Sequence, residues 1–235
     1  MLIHNLYSAR CYLIYNLICI LGKKTKMKKV NFLLILSLGV LTLSSCGSDN
    51  SAENVNNENE KSCLYSYNDG SSTFEWTAFK TNQKIGVSGT FNELTVNSEE
   101  SNSEKSFIES LSFSMNTMTV ESNNEERNGK IANLFFKTIN TPEITGEIIS
   151  IDGEGNAKVA INMNSKTNEI EAKYTLVDGL FSLNATIDVA LWDGLNGIKT
   201  LNDVCKDLHT GTDGVSKLWS EVDVKFVTKI KSTCN

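Results

Sequence analysis

The chain has few of the residues that several protein classes depend on. Among its 235 residues there are one proline and two histidines, and acidic side chains (28) outnumber basic ones (22). A single proline excludes collagen-like and proline-rich chains, and two histidines exclude a His-rich metal site. The lack of a basic excess argues against a nucleic-acid partner. What the chain does have is 40% hydrophobic residues, enough to build a core.

The first 45 residues contain no acidic side chain at all. Lys28 and Lys29 precede an apolar run at residues 30–43, which small residues follow. This order is typical of a secretory signal peptide, and the run is short for a membrane span. Residues 43–46 (LSSC) also resemble the lipobox of bacterial lipoproteins, which implies cleavage before Cys46 and acylation of that residue. Several acyl chains would attach the protein firmly to a membrane, whereas the alternative is a plain cleaved signal.

These signals divide the chain into four segments. Residues 1–26 precede a complete signal peptide, so we expect translation to start at Met27, the alternative being a second apolar segment. Residues 27–45 are the predicted signal peptide. Residues 46–72, rich in Asn, Ser and Glu, are predicted to form a flexible tether, and residues 73–235 the folded domain. Cleavage would leave 16 basic against 28 acidic residues, a net charge of −12. We therefore expect a lipid-anchored protein of the bacterial cell envelope, periplasmic or at the cell surface.

Alternation of apolar and polar residues dominates the predicted domain. It recurs near residues 74–78, 111–115, 157–163, 170–176, 181–187 and 222–226, separated by turn signals such as Asp178-Gly179. Such alternation predicts half-buried antiparallel strands. About eight strands in sequence would stack as a sandwich or close into a barrel, because open edges invite aggregation.

Two segments have helical spacing instead. Residues 127–137 place Ile131, Leu134 and Phe135 on one face, and residues 199–208 carry an apolar series ending at Cys205 and Leu208. We predict a short helix at each, lying across an open end or the outer face of the sheet.

Three sequence segments in order resemble the YceI-like family. They are residues 74–91 (FEWTAFKTNQKIGVSGTF), residues 115–131 (MNTMTVESNNEERNGKI), and Phe135-Phe136 followed by Pro142 and Ile144. The resemblance covers residues 72–231. The chain departs from the family pattern where Asn128 and Lys130 replace a frequent Asp and His, and where Lys80 replaces a frequent His.

The resemblance implies an all-β fold, a closed antiparallel lipocalin-like barrel of about eight strands with one or two short helices. It also implies a long apolar ligand, an isoprenoid, polyprenyl lipid or quinone, and no other cofactor. An eight-stranded barrel can hold one slender ligand. The predicted ligand-binding residues face the barrel interior: Phe74, Trp76, Ala78, Leu111, Phe113, Met115, Val159, Ile161, Ala172, Tyr174, Phe181, Leu183, Ala185, Val224 and Phe226. The alternative is a filled barrel that contacts a protein or glycan through acidic loops. A homodimer is also left open.

No residue pattern predicts catalysis. His209 is the one histidine after residue 46, and no G-x-S-x-G elbow accompanies it. A histidine at a helix end is more often a cap or a surface residue, so we predict a non-enzymatic protein without a metal site.

Cysteine pairing stays open between two choices. Four cysteines follow the predicted cleavage point, Cys46, Cys63, Cys205 and Cys234, and Cys46 is the predicted lipid attachment site. In an oxidising compartment we expect Cys205 to pair with either Cys234 or Cys63.

Overall fold

The computed structural model describes residues 62–235, which form a mostly antiparallel, strongly curled β-sheet with a few short helices. The predictions for residues 1–26, for the signal peptide, for most of the tether and for Cys46 lie outside the described residues. Within residues 62–235, no helix is long and apolar enough to span a membrane. The strands are β1 (Cys63–Tyr67), β2 (Thr73–Lys80), β3 (Ile85–Phe91), β4 (Leu94–Asn97), β5 (Ser112–Asn116), β6 (Val120–Glu121), β7 (Glu143–Ile151), β8 (Asn156–Met163), β9 (Lys166–Val177), β10 (Leu180–Asp188) and β11 (Leu218–Cys234).

Four short α-helices and three other helical segments connect these strands, among them a 3₁₀ segment (Thr117–Thr119) between β5 and β6. The α-helices are α1 (Glu104–Glu109), α2 (Glu125–Lys130), α3 (Leu195–Val204) and α4 (Lys206–His209). A π-helix (Ile131–Phe136) continues directly from α2, and a 3₁₀ turn (Val189–Trp192) follows β10.

The strands pair in the order β4-β5-β7-β8-β9-β10-β11-β2-β3-β6, and β1 pairs with β11 beyond the end of β2. The two ends of this order, β4 and β6, are connected through short segments of the chain. Only Asn92 and Glu93 separate β3 from β4, and the Asn92 amide donates to the Thr119 carbonyl at 2.9 Å. The Asn116 amide donates to the Glu93 carbonyl at 3.2 Å, so the sheet curls back on itself.

The wall of the sheet has a gap between β9 and β10. Their pairing begins at the Asp178-Gly179 turn, where both residues have positive φ as a tight hairpin requires, and it ends at Lys173 opposite Asn184. Beyond that point the 3₁₀ turn bridges the separated strands. Trp192 in this turn is fully buried, and its indole nitrogen donates to the Ile161 carbonyl at 3.0 Å.

The helical segments differ from the prediction in detail. Residues 127–137 form the end of α2 and then the π-helix, and Asn124 caps α2 by accepting the Arg127 amide at 2.8 Å. The helix predicted at residues 199–208 begins earlier, at Leu195, and breaks at Cys205 into α3 and α4. Helical periodicity located both segments, but the break and the π turn depend on what lies beneath them.

The disulfide prediction was wrong. The structure joins Cys63 to Cys234 and leaves Cys205 free and buried. The reason is the register of β1 on β11, which places Cys63 directly opposite Cys234, while Cys205 lies inside the protein at the end of α3. The strand β1 also shows that residues 63–67, which we assigned to the tether, belong to the folded domain.

Candidate ligand-binding site

The curled sheet encloses a cavity at one end of its interior. Its volume is about 440 Å³, which lies in the range of small-molecule sites. The wall is formed by inward-facing residues of β2 and β11, such as Trp76 and Val222, together with residues of β5, β8 and β10. Since most of the lining side chains are hydrocarbon, the cavity suits an apolar chain.

The fifteen residues predicted to face the interior divide between this cavity and a packed region. Seven line the cavity: Phe74, Trp76, Ala78, Phe113, Met115, Ile161 and Val224. The other eight are absent from its lining: Leu111, Val159, Ala172, Tyr174, Phe181, Leu183, Ala185 and Phe226. Phe181 and Leu111 are almost completely buried, so that part of the interior is filled by side chains. The curled sheet thus encloses both a cavity and a region filled by side chains.

A continuous series of aromatic rings connects the two regions. Phe136 lies 5.9 Å from Phe91, which lies 6.1 Å from Phe74, measured between ring centroids. Phe113 then lies 6.0 Å from Phe74 and 5.6 Å from Phe226. Phe226 belongs to the packed region, so these rings form the inner end of the cavity.

The packed end of the interior is covered by α1 and β1. Phe107 and Ile108 of α1 are buried against the core, and the Glu109 carboxylate accepts the Ile151 amide at 3.0 Å. With this end closed, a ligand would enter from the opposite side.

The opposite side is covered by helical residues, none of which was among the fifteen residues predicted to face the interior. Ile131, Phe135 and Phe136 of the π-helix line the cavity, as do Leu201 and Cys205 at the end of α3. The helices pack closely, because a Cβ at Gly197 would come within 2.6 Å of the Phe135 ring. The apolar spacing of residues 201, 205 and 208 was a signal that could have placed α3 over the interior; the π turn has no comparable signal.

Polar residues at this covered side form what we term the polar rim: Lys80, Asn124, Glu126, Arg127, Lys130 and His209, all of which line the cavity. They come from the end of β2, from α2 and from α4. The Lys80 ammonium donates to the Leu208 carbonyl at 3.0 Å, which ties the end of β2 to α4.

Arg127 is held in place by a hydrogen-bond network. Its Nε donates to the Ser122 hydroxyl at 2.8 Å, and Nη2 donates to the Ser122 carbonyl at 2.6 Å. Ser122 is buried and donates to Asn128 Oδ1 at 2.6 Å, and Asn128 in turn donates to the Glu121 carboxylate at 3.0 Å. The hydrogen bond from Asn128 keeps the pKa of Glu121 below its usual value. The guanidinium is therefore oriented before any ligand arrives.

His209 is a half-buried member of the rim. Its Nδ1 lies 2.9 Å from Asn202 Oδ1, an amide rather than a carboxylate. Burial lowers its pKa, and the charge of Lys80 lowers it further, which favours the neutral ring. A catalytic triad would place a carboxylate on this nitrogen, so the geometry offers His209 no such partner. Within residues 62–235, no three His, Cys, Asp or Glu side chains come close enough to hold a metal ion.

Comparison with protein families matches residues 65–230 to the YceI-like domain. This match covers well over half of the chain. The chain belongs to the YceI-like family. No curated protein matches it.

Solved structures of this family and its neighbours are related only distantly. A polyisoprenoid-binding domain from Saccharophagus degradans, implicated in plant cell wall breakdown, has a TM-score of 0.51 at 13% identity and covers 74% of this chain and 100% of that one. BcnA from Burkholderia cenocepacia has a TM-score of 0.45 at 11% identity, covering 68% and 96%. A Campylobacter jejuni YceI protein has a TM-score of 0.40 at 18% identity, covering 67% and 90%. The first of these supports the YceI-like fold for this chain.

Proposed function

We propose that this YceI-like protein is a non-enzymatic lipoprotein of the bacterial cell envelope that holds a long apolar ligand inside its barrel. The ligand class is an isoprenoid, polyprenyl or quinone-like lipid, and the role is lipid storage, transport or stress protection. The observation that carries the proposal is the cavity of about 440 Å³ with its aromatic inner end. The polyisoprenoid-binding description of the Saccharophagus degradans domain supports the same ligand class.

The cavity suits chain binding energetically. Each methylene transferred from water into an apolar site contributes about 0.8 kcal/mol, so affinity grows with the length of chain that the cavity accepts. The inner end of the cavity would limit that length, because the aromatic rings around Phe113 lie between the cavity and the packed region.

A closed barrel of eight strands is part of this proposal. The support is that only two residues separate β3 from β4 and only three separate β5 from β6. In addition, the end of β3 pairs with β6 over two residues, and β4 pairs with β5 over four. Taken as two bent strands they reduce the count to eight around the barrel, with β1 outside it. The gap beyond Lys173 and Asn184 would then be a local separation in an otherwise continuous wall.

Membrane attachment through acylated Cys46 completes the proposal. It rests on the lipobox at residues 43–46. Metabolic labelling with an alkyne fatty acid tests it: the full chain should incorporate label and the Cys46→Ala variant should not. Label retained in the variant would contradict the lipoprotein assignment.

The binding function is tested with two neighbouring substitutions on β2. Ala78 lines the cavity, whereas Thr77 hydrogen-bonds Ser88 at 2.8 Å on the outer face of the sheet. The full chain is purified, extracted with organic solvent, and the extract analysed by mass spectrometry. We expect a co-purifying long-chain lipid in the wild type and in Thr77→Phe, and a large loss in Ala78→Phe, because phenylalanine at that position would occupy the cavity. Equal lipid content in all three proteins would contradict the cavity as the binding site.

A further inference from the structure

Charged side chains border the covered end of the cavity, and its apolar walls do not explain them. Five ionisable groups of the polar rim border it: three cations, Lys80, Arg127 and Lys130, the carboxylate of Glu126, and His209. A neutral lipid head would gain little from so many charges, and each cation brought near an apolar wall loses hydration.

Two of these cations have no carboxylate partner within residues 62–235. Lys80 donates to a backbone carbonyl, and Arg127 donates to the Ser122 hydroxyl and carbonyl, both uncharged acceptors. Lys130 does pair with Glu126 at 2.6 Å, but the Glu126 side chain is 79% exposed and that of Lys130 only 29%. The carboxylate is therefore turned to solvent, and positive charge prevails on the cavity side.

This local excess of positive charge is opposite in sign to the net charge of the protein as a whole. Residues 62–235 contain 24 acidic and 15 basic side chains, so a rim with the average composition of these residues would carry a net negative charge. Arg127 is moreover fixed by its bonds to buried Ser122, so its free N–H groups are oriented in advance. A guanidinium held in this way suits the two oxygens of a carboxylate or phosphate.

We propose that the cavity selects lipids whose long apolar chain ends in an anionic head group, with Lys80 and Arg127 contacting the head and Lys130 adding to the positive field. This inference rests on the proposed binding function and narrows it, because it favours a fatty-acid carboxylate or a prenyl phosphate over a neutral quinone or alcohol. The chain lies in the apolar cavity, and the charged oxygens remain at the polar rim.

The test compares ligands that share a chain and differ in the head. Binding of oleate and of oleyl alcohol to the purified full chain is measured at pH 8 by displacement of a fluorescent fatty alcohol. A second pair, farnesyl phosphate and farnesol, distinguishes phosphate from carboxylate as the preferred head. In at least one pair, we expect the anionic compound to bind at least about ten-fold more tightly than the alcohol, because its head group would accept charge-assisted hydrogen bonds.

Matched variants test which residues cause the preference for an anionic head group. The Lys80→Gln/Arg127→Gln variant should lose the preference, because its affinity for oleate should fall much more than its affinity for oleyl alcohol. The conservative Lys80→Arg variant should retain it, as should Lys137→Gln, which removes an exposed lysine outside the cavity lining. Retained binding of the alcohol also shows that a variant is folded.

Two results would overturn the inference, and they differ in what else they affect. If both members of each pair bind with equal affinity, or if the double variant keeps the preference, the anionic selectivity fails and the binding function stands. If no compound binds and none displaces the probe, the proposed function fails together with the inference.

Discussion

The Cys63–Cys234 bridge should contribute several kcal/mol to the stability of the fold. It closes a loop spanning 171 residues of sequence, nearly the whole of residues 62–235. Reduction, or the double substitution Cys63→Ala/Cys234→Ala, would restore the freedom of that loop in the unfolded chain.

The magnitude follows from the loop length. The chain-entropy relation gives about 5 kcal/mol for a loop of this size, and measured losses for natural disulfides are about 2–5 kcal/mol. Part of β1 would stay docked after reduction, because the Tyr65 amide donates to the Ser101 carbonyl at 2.8 Å and the Ser101 amide donates back at 3.2 Å. We therefore expect the free energy of unfolding to fall by about 2–5 kcal/mol.

The assay is urea unfolding with and without dithiothreitol, applied to wild type, the double variant and Cys205→Ala. Reductant should lower the midpoint of wild type and of Cys205→Ala, and leave the double variant unchanged. A Cys205→Ala protein that is insensitive to reductant would mean that Cys205 is in the bridge, as the sequence analysis expected, and would refute the Cys63–Cys234 pairing.

Three further predictions concern single residues. Trp192→Ala should lower the free energy of unfolding by about 3–5 kcal/mol, because it removes a fully buried indole that holds the separated ends of β9 and β10; a loss below 1 kcal/mol in urea unfolding would contradict this role. Gly146→Ala should destabilise the protein by about 1–3 kcal/mol and reduce lipid uptake, since its Cβ would lie 2.3 Å from the Phe113 ring in the cavity wall; unchanged uptake would show that this ring does not border the ligand. His209 has a lowered pKa in the fold, so stability from its neutral ring is present above its unfolded pKa of about 6.5 and is lost as the pH falls through its folded value. Acidification from pH 7 to 5 should therefore lower the urea midpoint more in wild type than in His209→Gln, and equal losses would contradict the assignment.

Much of the strand content follows from local sequence. Alternation at residues 157–163 and 181–187 is a property of each strand by itself, because successive side chains point to opposite faces. The structure has strands at both places, β8 and β10, and the positive φ at Asp178 and Gly179 agrees with the predicted turn. The YceI-like resemblance is confirmed by the family match at residues 65–230.

Features that depend on contacts between distant parts of the chain could not be predicted from local sequence. The pairing of Cys63 with Cys234 is set by a register across 171 residues. Alternation predicts that Trp76 and Phe181 both face inward, but only the three-dimensional packing decides that Trp76 borders a cavity and Phe181 is enclosed. The polar rim joins residues from β2, α2 and α4, so no single segment of sequence contains it.

The most direct test of the account is to determine whether a chain-length ligand occupies the cavity. A crystal structure of the purified full chain, co-crystallised with a prenyl or acyl lipid, would answer this. We predict continuous density from the polar rim at Arg127 to the rings around Phe113, and no such density in Ala78→Phe. A cavity that stays empty in the wild type, or ligand bound only on the outer surface, would contradict the account.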